Sequence, residues 1–272
     1  MIVATVVIPA YGRPDLLQRA VDSVIKQRGS DKIQIIIIDD NSPIILKPNN
    51  LRNQDCVIRA ESCSGAAVSR NVGIANANAD WIYLLDSDDY FINIDLDNVS
   101  DLDADTLYYR NIATATGISD FKSEVKKSSF PEMIFCKQRD ICQTSSLLFN
   151  RRSGAKFDES LPKHQDWDFV YFEFLAKNRC VKKLDGLVFF DKGDKTSLSR
   201  KKRVHKSLPW LSKIQNEDDY KNYVELFKLK MLYIDKEYKF TTFVKSIIKC
   251  LSLGQLSFRD LLVLFYKRYI LK

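Results

Sequence analysis

Asp80 to Tyr90 has the sequence Asp-Trp-Ile-Tyr-Leu-Leu-Asp-Ser-Asp-Asp-Tyr, and this stretch decides the fold that we expect for the whole chain. Trp81 to Leu85 is an apolar, aromatic run of strand length that leads directly into Asp86, Asp88 and Asp89. Three carboxylates at the end of a buried strand repel one another and lose hydration, so such a cluster favours a bound cation. Oxygen ligands without nearby Cys or His suit a hard divalent ion such as Mg²⁺ or Mn²⁺. The alternative is a solvated acidic turn in which Asp88 or Asp89 caps a helix.

Composition indicates a globular protein with a sizeable core. The chain has 272 residues, of which 45% are hydrophobic and 11% aromatic, and it is long enough for one large α/β domain or a domain with an appendage. No apolar run reaches the roughly 18 residues that a membrane span needs, and the first nine residues lack the basic region of a signal peptide. We therefore expect a cytoplasmic protein. The six cysteines form no CxxC pair and the chain has two histidines, which argues against a zinc site.

Charge is distributed unevenly along the chain. The segment 195–272 contains 18 Lys and Arg against 7 Asp and Glu, which gives it a net charge of +11, whereas the first 194 residues carry a net charge of −4. An acidic front and a basic tail indicate two different tasks on one chain. The tail carries no RNA- or DNA-binding signature, so we do not expect a nucleic-acid partner.

The front of the chain has the pattern of a parallel β-sheet. Ala4 to Ile8 is a β-branched run that ends in a turn, and apolar residues then recur at helical spacing from Leu16 to Ile25. Ile33 to Ile38 is nearly all apolar, which is typical of a strand covered on both faces. Strand, helix and strand at this spacing predict a right-handed βαβ unit, in which ligands bind at the carboxyl ends of the strands. Tyr11, Asp40 and the Asp86 cluster should therefore meet at one edge of the sheet.

A third short strand, Cys56 to Ala60, precedes the segment Gly65-Ala-Ala-Val-Ser-Arg-Asn-Val-Gly. The small residues at its start allow close backbone approach at a helix N-terminus, and Arg70 lies one to two turns further on. Arg70 could simply pair with a surface carboxylate. Its place between Asp40 and the Asp86 cluster favours a role in binding a nucleotide or its phosphates.

Four motifs resemble those of family 2 glycosyltransferases with the GT-A fold, in the same order and at similar spacing. They are Val7-Ile8-Pro9-Ala10-Tyr11, Ile38-Asp39-Asp40-Asn41-Ser42, Gly65 through Gly73, and Leu84-Leu85-Asp86-Ser87-Asp88-Asp89. The resemblance implies an α/β GT-A fold with a Rossmann-like, mixed but mostly parallel sheet flanked by helices. It also implies transfer of a sugar from a nucleotide diphosphate donor with inversion. Gly12 departs from the pattern, because many relatives carry Asn there.

The resemblance also implies roles for individual residues. Pro9, Tyr11 and Asp40 would hold the base, with the Asp40 carboxylate on the uracil edge. Arg70 and Asp86 would bind the nucleotide, and Asp88 would be the principal ligand of Mn²⁺ or Mg²⁺ with Asp86 beside it. The full set of expected donor-binding residues is Pro9, Ala10, Tyr11, Arg13, Asp40, Arg70, Asp86 and Ser87.

Asp166 is the expected catalytic base. Relatives carry a Glu-Asp pair where this chain has Gln165-Asp166, and in them the Asp is the general base. A metal can stabilise a diphosphate leaving group, so such a reaction requires removal of the acceptor's proton but no protein acid. The alternative is that Asp166 or Asp168 only caps the helix that follows, and we expect Trp167 to be a core residue.

The remaining segments leave several alternatives open. Residues 192–206 are basic and contain Gly193, so they could fold over the donor diphosphate or form a solvated linker; a role for His205 at the metal is not assigned. The basic apolar helices expected after Leu208 could lie on an anionic membrane surface, pack as a lid, or form a dimer surface. We therefore expect a GT-A catalytic domain over 1–206, with a nucleotide-sugar half at about 1–100 and an acceptor half at about 101–206, and a helical extension over 207–272.

The function expected from the sequence is that of an inverting, metal-dependent glycosyltransferase. Its donor would be a UDP-sugar, and its acceptor a hydroxyl of a glycan or of a lipid-linked oligosaccharide in the synthesis of a cell-surface polysaccharide, capsule or lipopolysaccharide. The enzyme would act in the cytoplasm, or at the inner face of the cytoplasmic membrane as a peripheral protein. The alternative is a catalytically inactive protein that binds a nucleotide sugar or a membrane surface.

Overall fold

The computed structural model describes residues 1–138, 140–191, 204–234 and 240–252. These residues belong to two compact units. The first unit comprises described residues of Met1–Lys127, Asp140–Ser160 and Gln165–Asp194, and the second comprises those of Ser128–Arg139, Leu161–His164 and Lys195–Lys272. Two short segments from the middle of the chain thus belong with the C-terminal helices. The domain boundary at 206 stays a prediction.

In the described part of the chain, nine strands form one sheet, which lies in the first unit. The strands are β1 (Ala4–Ala10), β2 (Ile33–Asp39), β3 (Cys56–Arg59), β4 (Trp81–Leu84), β5 (Tyr90–Asn93), β6 (Leu107–Thr114), β7 (Gly117–Ser119), β8 (Leu148–Asn150) and β9 (Val181–Phe189). Their order is β3-β2-β1-β4-β8-β6-β9-β5, and β7 pairs with β6. The first four strands of this order are parallel, β8 is antiparallel to β4 and β6, and β6 and β9 are parallel. The α/β architecture expected from the sequence is confirmed.

Helices cover the sheet in the first unit and make up most of the second. They are α1 (Pro14–Ile25), α2 (Ala66–Ala75), α3 (Phe130–Glu132), α4 (Gln165–Asp168), α5 (Leu208–Ile214), α6 (Val224–Ile234) and α7 (Phe240–Ser252). Two of them continue as π-helical turns, α3 into Met133–Lys137 and α4 into Phe169–Phe174. No helix among the described residues combines the length and the apolar character that would carry it through a lipid bilayer.

The parallel half of the sheet follows from its sequence. Every residue of β1 and β2 is buried, which explains why both strands are mostly apolar without regular alternation. Helix α1 begins at Pro14, where the missing N–H costs nothing. Helix α2 lies so close to β1 that a Cβ added at Gly73 would be 2.3 Å from Cγ1 of Val7. Only a residue without a side chain permits this approach.

The antiparallel half departs from the pattern of the sequence. A strand is expected from Thr144 to Phe149, but Thr144–Ser146 forms a 3₁₀ turn and β8 begins at Leu148. The reason is that the three residues of the turn are buried and polar, and their backbone folds back on the Gln143 side chain, which accepts a hydrogen bond from the Ser145 amide.

The second unit has an aromatic core of its own. The ring of Trp210 in α5 packs 6.2 Å from Phe135, 5.4 Å from Phe227 and 5.0 Å from His164, measured between ring centroids.

In α7, Lys245, Ile248 and Lys249 are exposed, whereas Ile247 and Cys250 are buried. Most of the loop expected at 192–206 and the helix expected at 258–270 lie outside the described residues. The exposed His205 lies in a 3₁₀ turn, Val204–Ser207.

Candidate active site

The carboxyl ends of β1, β2 and β4 lie side by side and bring the predicted residues to one edge of the sheet. Ala10 at the end of β1 pairs with Asp39 at the end of β2, and Val7 in β1 pairs with Leu84 at the end of β4. Tyr11, Asp40 and Asp86 follow these three strands within one or two residues. Since parallel strands all point in the same direction, this arrangement is a direct result of their order.

The turn after β1 presents a tyrosine and an arginine. Pro9 and Ala10 are buried, whereas Tyr11 is 47% exposed. The Gly12 amide donates a 2.8 Å hydrogen bond to Oγ of Ser42, which ties this turn to the end of β2. Arg13 has a left-handed backbone with φ of 53°, a conformation that is uncommon for a residue with a Cβ.

Asp40 fixes the loop that leads into α2. Its carboxylate accepts hydrogen bonds from the backbone amides of Ser64 at 2.7 Å and Gly65 at 2.9 Å, and the thiol of Cys63 lies 3.3 Å from Oδ2. A carboxylate has about four lone-pair sites, so these contacts leave acceptor capacity for the N–H of a base. The role of Asp40 at uracil stays a prediction.

Arg70 connects two parts of the site. Its Nη2 lies 2.6 Å from Oδ1 of Asp86, and its Nη1 donates a 2.9 Å hydrogen bond to Oε1 of Gln165. The guanidinium stacks 5.2 Å above the ring of Phe157, and only 6% of the side chain is exposed. Arg70 is therefore a buried link between the end of β4 and the start of α4, and its role at a nucleotide stays a prediction.

Asp166 lies in the first turn of α4, where the Trp167 amide donates a 2.9 Å hydrogen bond to its Oδ1. Burial raises the pKa of the Asp166 carboxyl to about 6, and the negative charge of Asp86 adds to this effect. The Trp167 amide and the positive charge of Arg70 act in the opposite direction. Asp166 thus belongs to the same electrostatic neighbourhood as Asp86 and Arg70. Trp167 is buried, as expected for a core residue.

Asp88 is paired with the arginine of the first turn. Nη1 of Arg13 lies 3.0 Å from Oδ2 of Asp88, and the two side chains are 33% and 18% exposed. Burial is the main cause that raises the pKa of Asp88, the charge of Asp86 raises it further, and Arg13 lowers it. Ser87, between the two carboxylates, is buried. Asp86 and Asp88 are therefore close enough to repel each other electrostatically.

Asp89 organises the acidic turn from inside, a role that the sequence did not predict. Its carboxyl is 1% exposed and accepts hydrogen bonds from the Ser145 hydroxyl at 2.5 Å, the Gln143 amide group at 3.1 Å and the Asp191 backbone amide at 2.9 Å. Burial raises the pKa of Asp89 well above its usual value, together with the charges of Asp86 and Asp88. Ser145 also accepts a 3.0 Å hydrogen bond from the Asp86 amide. These contacts join residues that are 54 to 102 positions apart in the chain, so no local sequence pattern indicates them.

Arg19 in α1 is a second residue that the sequence did not single out. Its Nη2 donates to the backbone oxygen of Asp88 and lies 3.0 Å from Oδ2 of Asp191. Its guanidinium stacks 4.9 Å above the ring of Tyr90. Arg19 therefore holds the backbone of the acidic turn in place, independently of the contacts made by the Asp88 side chain.

The donor set at the acidic turn fits a hard divalent ion. Arg70 contacts Oδ1 of Asp86 and Arg13 contacts Oδ2 of Asp88, so neither arginine pair occupies the second oxygen of its carboxylate. No group of three or more His, Cys, Asp or Glu side chains in the described part of the chain is arranged to hold a metal ion. Two carboxylates are nevertheless the set that Mg²⁺ commonly uses when phosphates complete its coordination.

Comparisons of the sequence with those of known proteins show what the chain resembles. The sequence model of the family described as "Glycosyl transferase family 2" matches residues 5–155, which is more than half of the chain. An uncharacterised glycosyltransferase of Haemophilus influenzae is 34% identical over 89 residues, which are 32% of this chain and 30% of that protein. The UDP-Glc:alpha-D-GlcNAc-diphosphoundecaprenol beta-1,3-glucosyltransferase WfaP of Escherichia coli is 33% identical over 104 residues, 36% of this chain and 40% of that protein. The chain thus matches less than half of the length of these two curated relatives.

A solved structure shares the fold. The crystal structure of Staphylococcus aureus TarS, residues 1–349, in complex with UDP has a TM-score of 0.60 to this chain at 15% sequence identity. The superposition covers 98% of this chain and 87% of that structure.

Proposed function

The chain belongs to glycosyl transferase family 2, and on that premise we propose that it is an inverting enzyme that moves a sugar from a nucleotide diphosphate donor to an acceptor hydroxyl. The observation that carries this proposal is the link through Arg70, which contacts both Asp86 and Gln165. This link joins the carboxylates expected to serve the donor to the helix turn that carries Asp166. A base for the acceptor and ligands for the diphosphate thus belong to one site.

Each residue of the site has a task in the proposed reaction. The turn 9–13 and Asp40 bind the base and ribose, Arg70 carries positive charge toward the phosphates, and Ser87 lies between the two metal-binding carboxylates. Asp86 and Asp88 would hold Mn²⁺ or Mg²⁺, which as a Lewis acid stabilises negative charge on the diphosphate. This set needs no protein acid for the leaving group.

Asp166 removes the acceptor's proton. As the acceptor oxygen forms a bond to the anomeric carbon, the bond from that carbon to the diphosphate breaks, its electron pair stays on the diphosphate, and the hydroxyl proton passes to Asp166. Attack on the face opposite the leaving group inverts the anomeric centre. A carboxyl with a pKa of about 6 is largely ionised at pH 7 yet more basic than an ordinary aspartate, which suits a general base.

The donor and acceptor classes rest on a relative. The name of WfaP gives UDP-glucose as its donor and an N-acetylglucosamine linked to diphosphoundecaprenol as its acceptor. We propose a UDP-sugar donor and a glycan or lipid-linked acceptor for this chain by analogy, in the synthesis of a cell-surface polysaccharide. A lipid-linked acceptor would place the enzyme at the cytoplasmic face of the membrane.

The C-terminal helices would provide the contact with that membrane. Lys245 lies near the exposed Ile248 on α7, a combination that suits an anionic lipid surface, whereas the neighbouring Lys249 pairs with Glu225 at 3.1 Å. In vesicle flotation, Lys245→Glu should weaken binding to vesicles that contain phosphatidylglycerol, whereas Lys26→Glu, which changes an exposed lysine of the first unit, should retain it. Equal binding of the two variants would contradict the membrane proposal.

Release of UDP from a panel of UDP-sugars, with and without acceptor lipids, tests the enzymatic proposal. The wild-type chain should turn over a UDP-sugar in the presence of Mn²⁺ or Mg²⁺ and stop when EDTA is added. Asp88→Ala should abolish transfer and Asp166→Asn should lower its rate by about 10²- to 10⁴-fold, whereas Asp101→Asn at an exposed site should leave it unchanged. Binding of a UDP-sugar without metal-dependent turnover would instead support a catalytically inactive binding protein.

A further inference from the structure

The acidic turn contains two ion pairs that differ in how firmly they are held. In the pair between Arg70 and Asp86 the Arg70 side chain is only 6% exposed, and it also contacts Gln165 and the ring of Phe157. In the pair between Arg13 and Asp88, a third of the Arg13 side chain is exposed. A long side chain at the surface can change its rotamer at little cost, whereas a packed one cannot. Of the two arginines, Arg13 is therefore the one that is more accessible to a ligand at the acidic turn.

Arg13 lies where a metal ion would be repelled. Its guanidinium is 3.0 Å from one oxygen of Asp88, so a divalent cation on the other oxygen of this carboxylate would lie only a few ångströms from a positive charge. Like charges at such a distance in a partly buried site repel strongly. In the absence of a metal, Arg13 itself neutralises Asp88 and opposes the repulsion from Asp86. The arginine and the metal thus compete for the same carboxylate.

The acidic turn keeps its shape when Arg13 leaves. Arg19 binds the backbone oxygen of Asp88, and Asp89 is held by Ser145, Gln143 and the Asp191 amide. None of these contacts involves Arg13. The release of Arg13 from Asp88 therefore frees the carboxylate without disturbing the turn that carries it.

We propose that Arg13 is the counter-ion of Asp88 until a divalent metal binds. The metal displaces the Arg13 guanidinium from Asp88, and the diphosphate of a nucleotide then binds that guanidinium. The proposal rests on the proposed function, because it takes the metal and the diphosphate from it. A diphosphate bound through the metal would offer the displaced guanidinium, at the end of the turn 9–13, a new anionic partner. Metal and nucleotide consequently assist each other's binding through Arg13, and by thermodynamic linkage the effect on their affinities is reciprocal.

Calorimetric titration of the full chain at pH 8 with Mn²⁺ alone, and with UDP at saturating Mn²⁺, tests the exchange. Arg13→Gln should bind Mn²⁺ alone at least about fivefold more tightly than the wild type, the lower end of typical coupling between ligands. The same variant should bind UDP at saturating Mn²⁺ more weakly. A residue that only supports the fold would weaken both affinities when replaced, so the opposite signs identify a displaced counter-ion.

Arg152→Gln is the matched control. Arg152 pairs with Asp80 at 2.6 Å, which precedes β4, whereas Asp86 and Asp88 follow it. Both variants lose one positive charge, so a general electrostatic effect would appear equally in both, and Arg152→Gln should match the wild type. Arg13→Lys keeps the charge on a shorter side chain and should bind Mn²⁺ with intermediate affinity, and it replaces Arg13→Gln in the comparison if the latter does not fold.

The outcomes separate this inference from the function on which it rests. Unchanged or weaker binding of Mn²⁺ alone to Arg13→Gln, with normal binding of Mn²⁺ and UDP to the wild type, overturns the counter-ion role and leaves the proposed function intact. A wild-type chain that binds neither Mn²⁺ nor Mg²⁺ in the presence of UDP, GDP or dTDP overturns both.

Discussion

Arg70 donates a 2.9 Å hydrogen bond from Nη1 to Oε1 of Gln165, 95 positions further along the chain. The same guanidinium contacts Asp86 through Nη2. The planar guanidinium presents its donors in a fixed fork that suits two partners in different directions, whereas a lysine ammonium is a compact charge on a flexible stem. Arg70 therefore ties the acidic turn directly to the helix turn of Asp166.

Arg70→Lys should lower kcat/KM for sugar transfer by about 10- to 100-fold, because it removes one charge-assisted hydrogen bond worth about 1.5–3 kcal/mol. Initial rates at several donor concentrations would measure the effect. Arg152→Lys, which changes a surface arginine, should keep wild-type rates. A kcat/KM of Arg70→Lys within twofold of the wild type would show that Arg70 has no part in the reaction.

The pH dependence of transfer should reveal the base. Asp166 has a pKa of about 6 and acts only as the carboxylate, so kcat/KM should fall about tenfold per pH unit below pH 6 and level off above pH 7. Asp166→Asn should lower kcat by about 10²- to 10⁴-fold. If the residual activity of Asp166→Asn still fell below pH 6 in the same way, the group that titrates would be one other than Asp166.

The contribution of Asp166 to stability should depend on pH in the direction opposite to its contribution to activity. A carboxyl whose pKa is raised from 3.8 to about 6 on folding binds more protons in the folded than in the unfolded state between these two values, so its contribution to stability is full below pH 4 and is lost as the pH rises to 6. At pH 8 the folded protein must keep a buried Asp166 carboxylate ionised, which is unfavourable. Asp166→Asn removes this charge, so it should raise the free energy of unfolding by about 1–3 kcal/mol at pH 8. Urea titrations of both proteins at pH 5 and pH 8 should show a larger difference at pH 8, and an equal difference would contradict the raised pKa.

Asp89→Ala should destabilise the fold by about 2–4 kcal/mol, because it leaves buried donors of Ser145, Gln143 and the Asp191 backbone without their acceptor. Urea or thermal unfolding would measure the loss. Asp101→Ala removes an exposed carboxylate and should change stability by no more than about 0.5 kcal/mol. Similar stabilities of the two variants would mean that Asp89 does not organise the turn.

Gly73→Ala should also destabilise the protein, although alanine is the better helix former by about 1 kcal/mol. The added methyl group would overlap the Val7 side chain, and overpacking of this kind typically costs about 1–3 kcal/mol. The double variant Val7→Ala/Gly73→Ala should be less destabilised than the sum of the two single variants, because the smaller residue 7 makes room. Strict additivity in unfolding experiments would argue against the close contact.

The parallel half of the fold is the part that the sequence predicts well. Its strands are continuous apolar runs, and Pro14, Gly65 and Gly73 mark the turns and the close helix packing, so local pattern and tertiary structure agree. The prediction that Tyr11, Asp40 and Asp86 gather at one sheet edge needed only the order of parallel strands. The roles of these residues and of Asp166 came from resemblance to a family and stay predictions that the experiments above address.

The antiparallel half and the supporting residues could not be predicted in this way. Ser145 lies in a stretch with the composition of a strand, but its hydroxyl bonds to Asp89, 56 positions earlier, and this contact requires a turn. Arg19 appears in the sequence as an exposed position of an amphipathic helix, and nothing near it indicates Asp191 as a partner. Such interactions depend on how distant segments meet, which periodicity and spacing do not encode.

The position of β1 between β2 and β4 has a consequence for synthesis on the ribosome. One edge of β1 can pair as soon as Ile33–Asp39 has emerged, but the other waits for Trp81–Leu84. Until then the nascent chain presents an open edge of a very apolar strand, which is a template for association with other chains. The stretch that carries the carboxylates of the site also closes this edge, so a polypeptide truncated before it should need chaperones to stay out of aggregates.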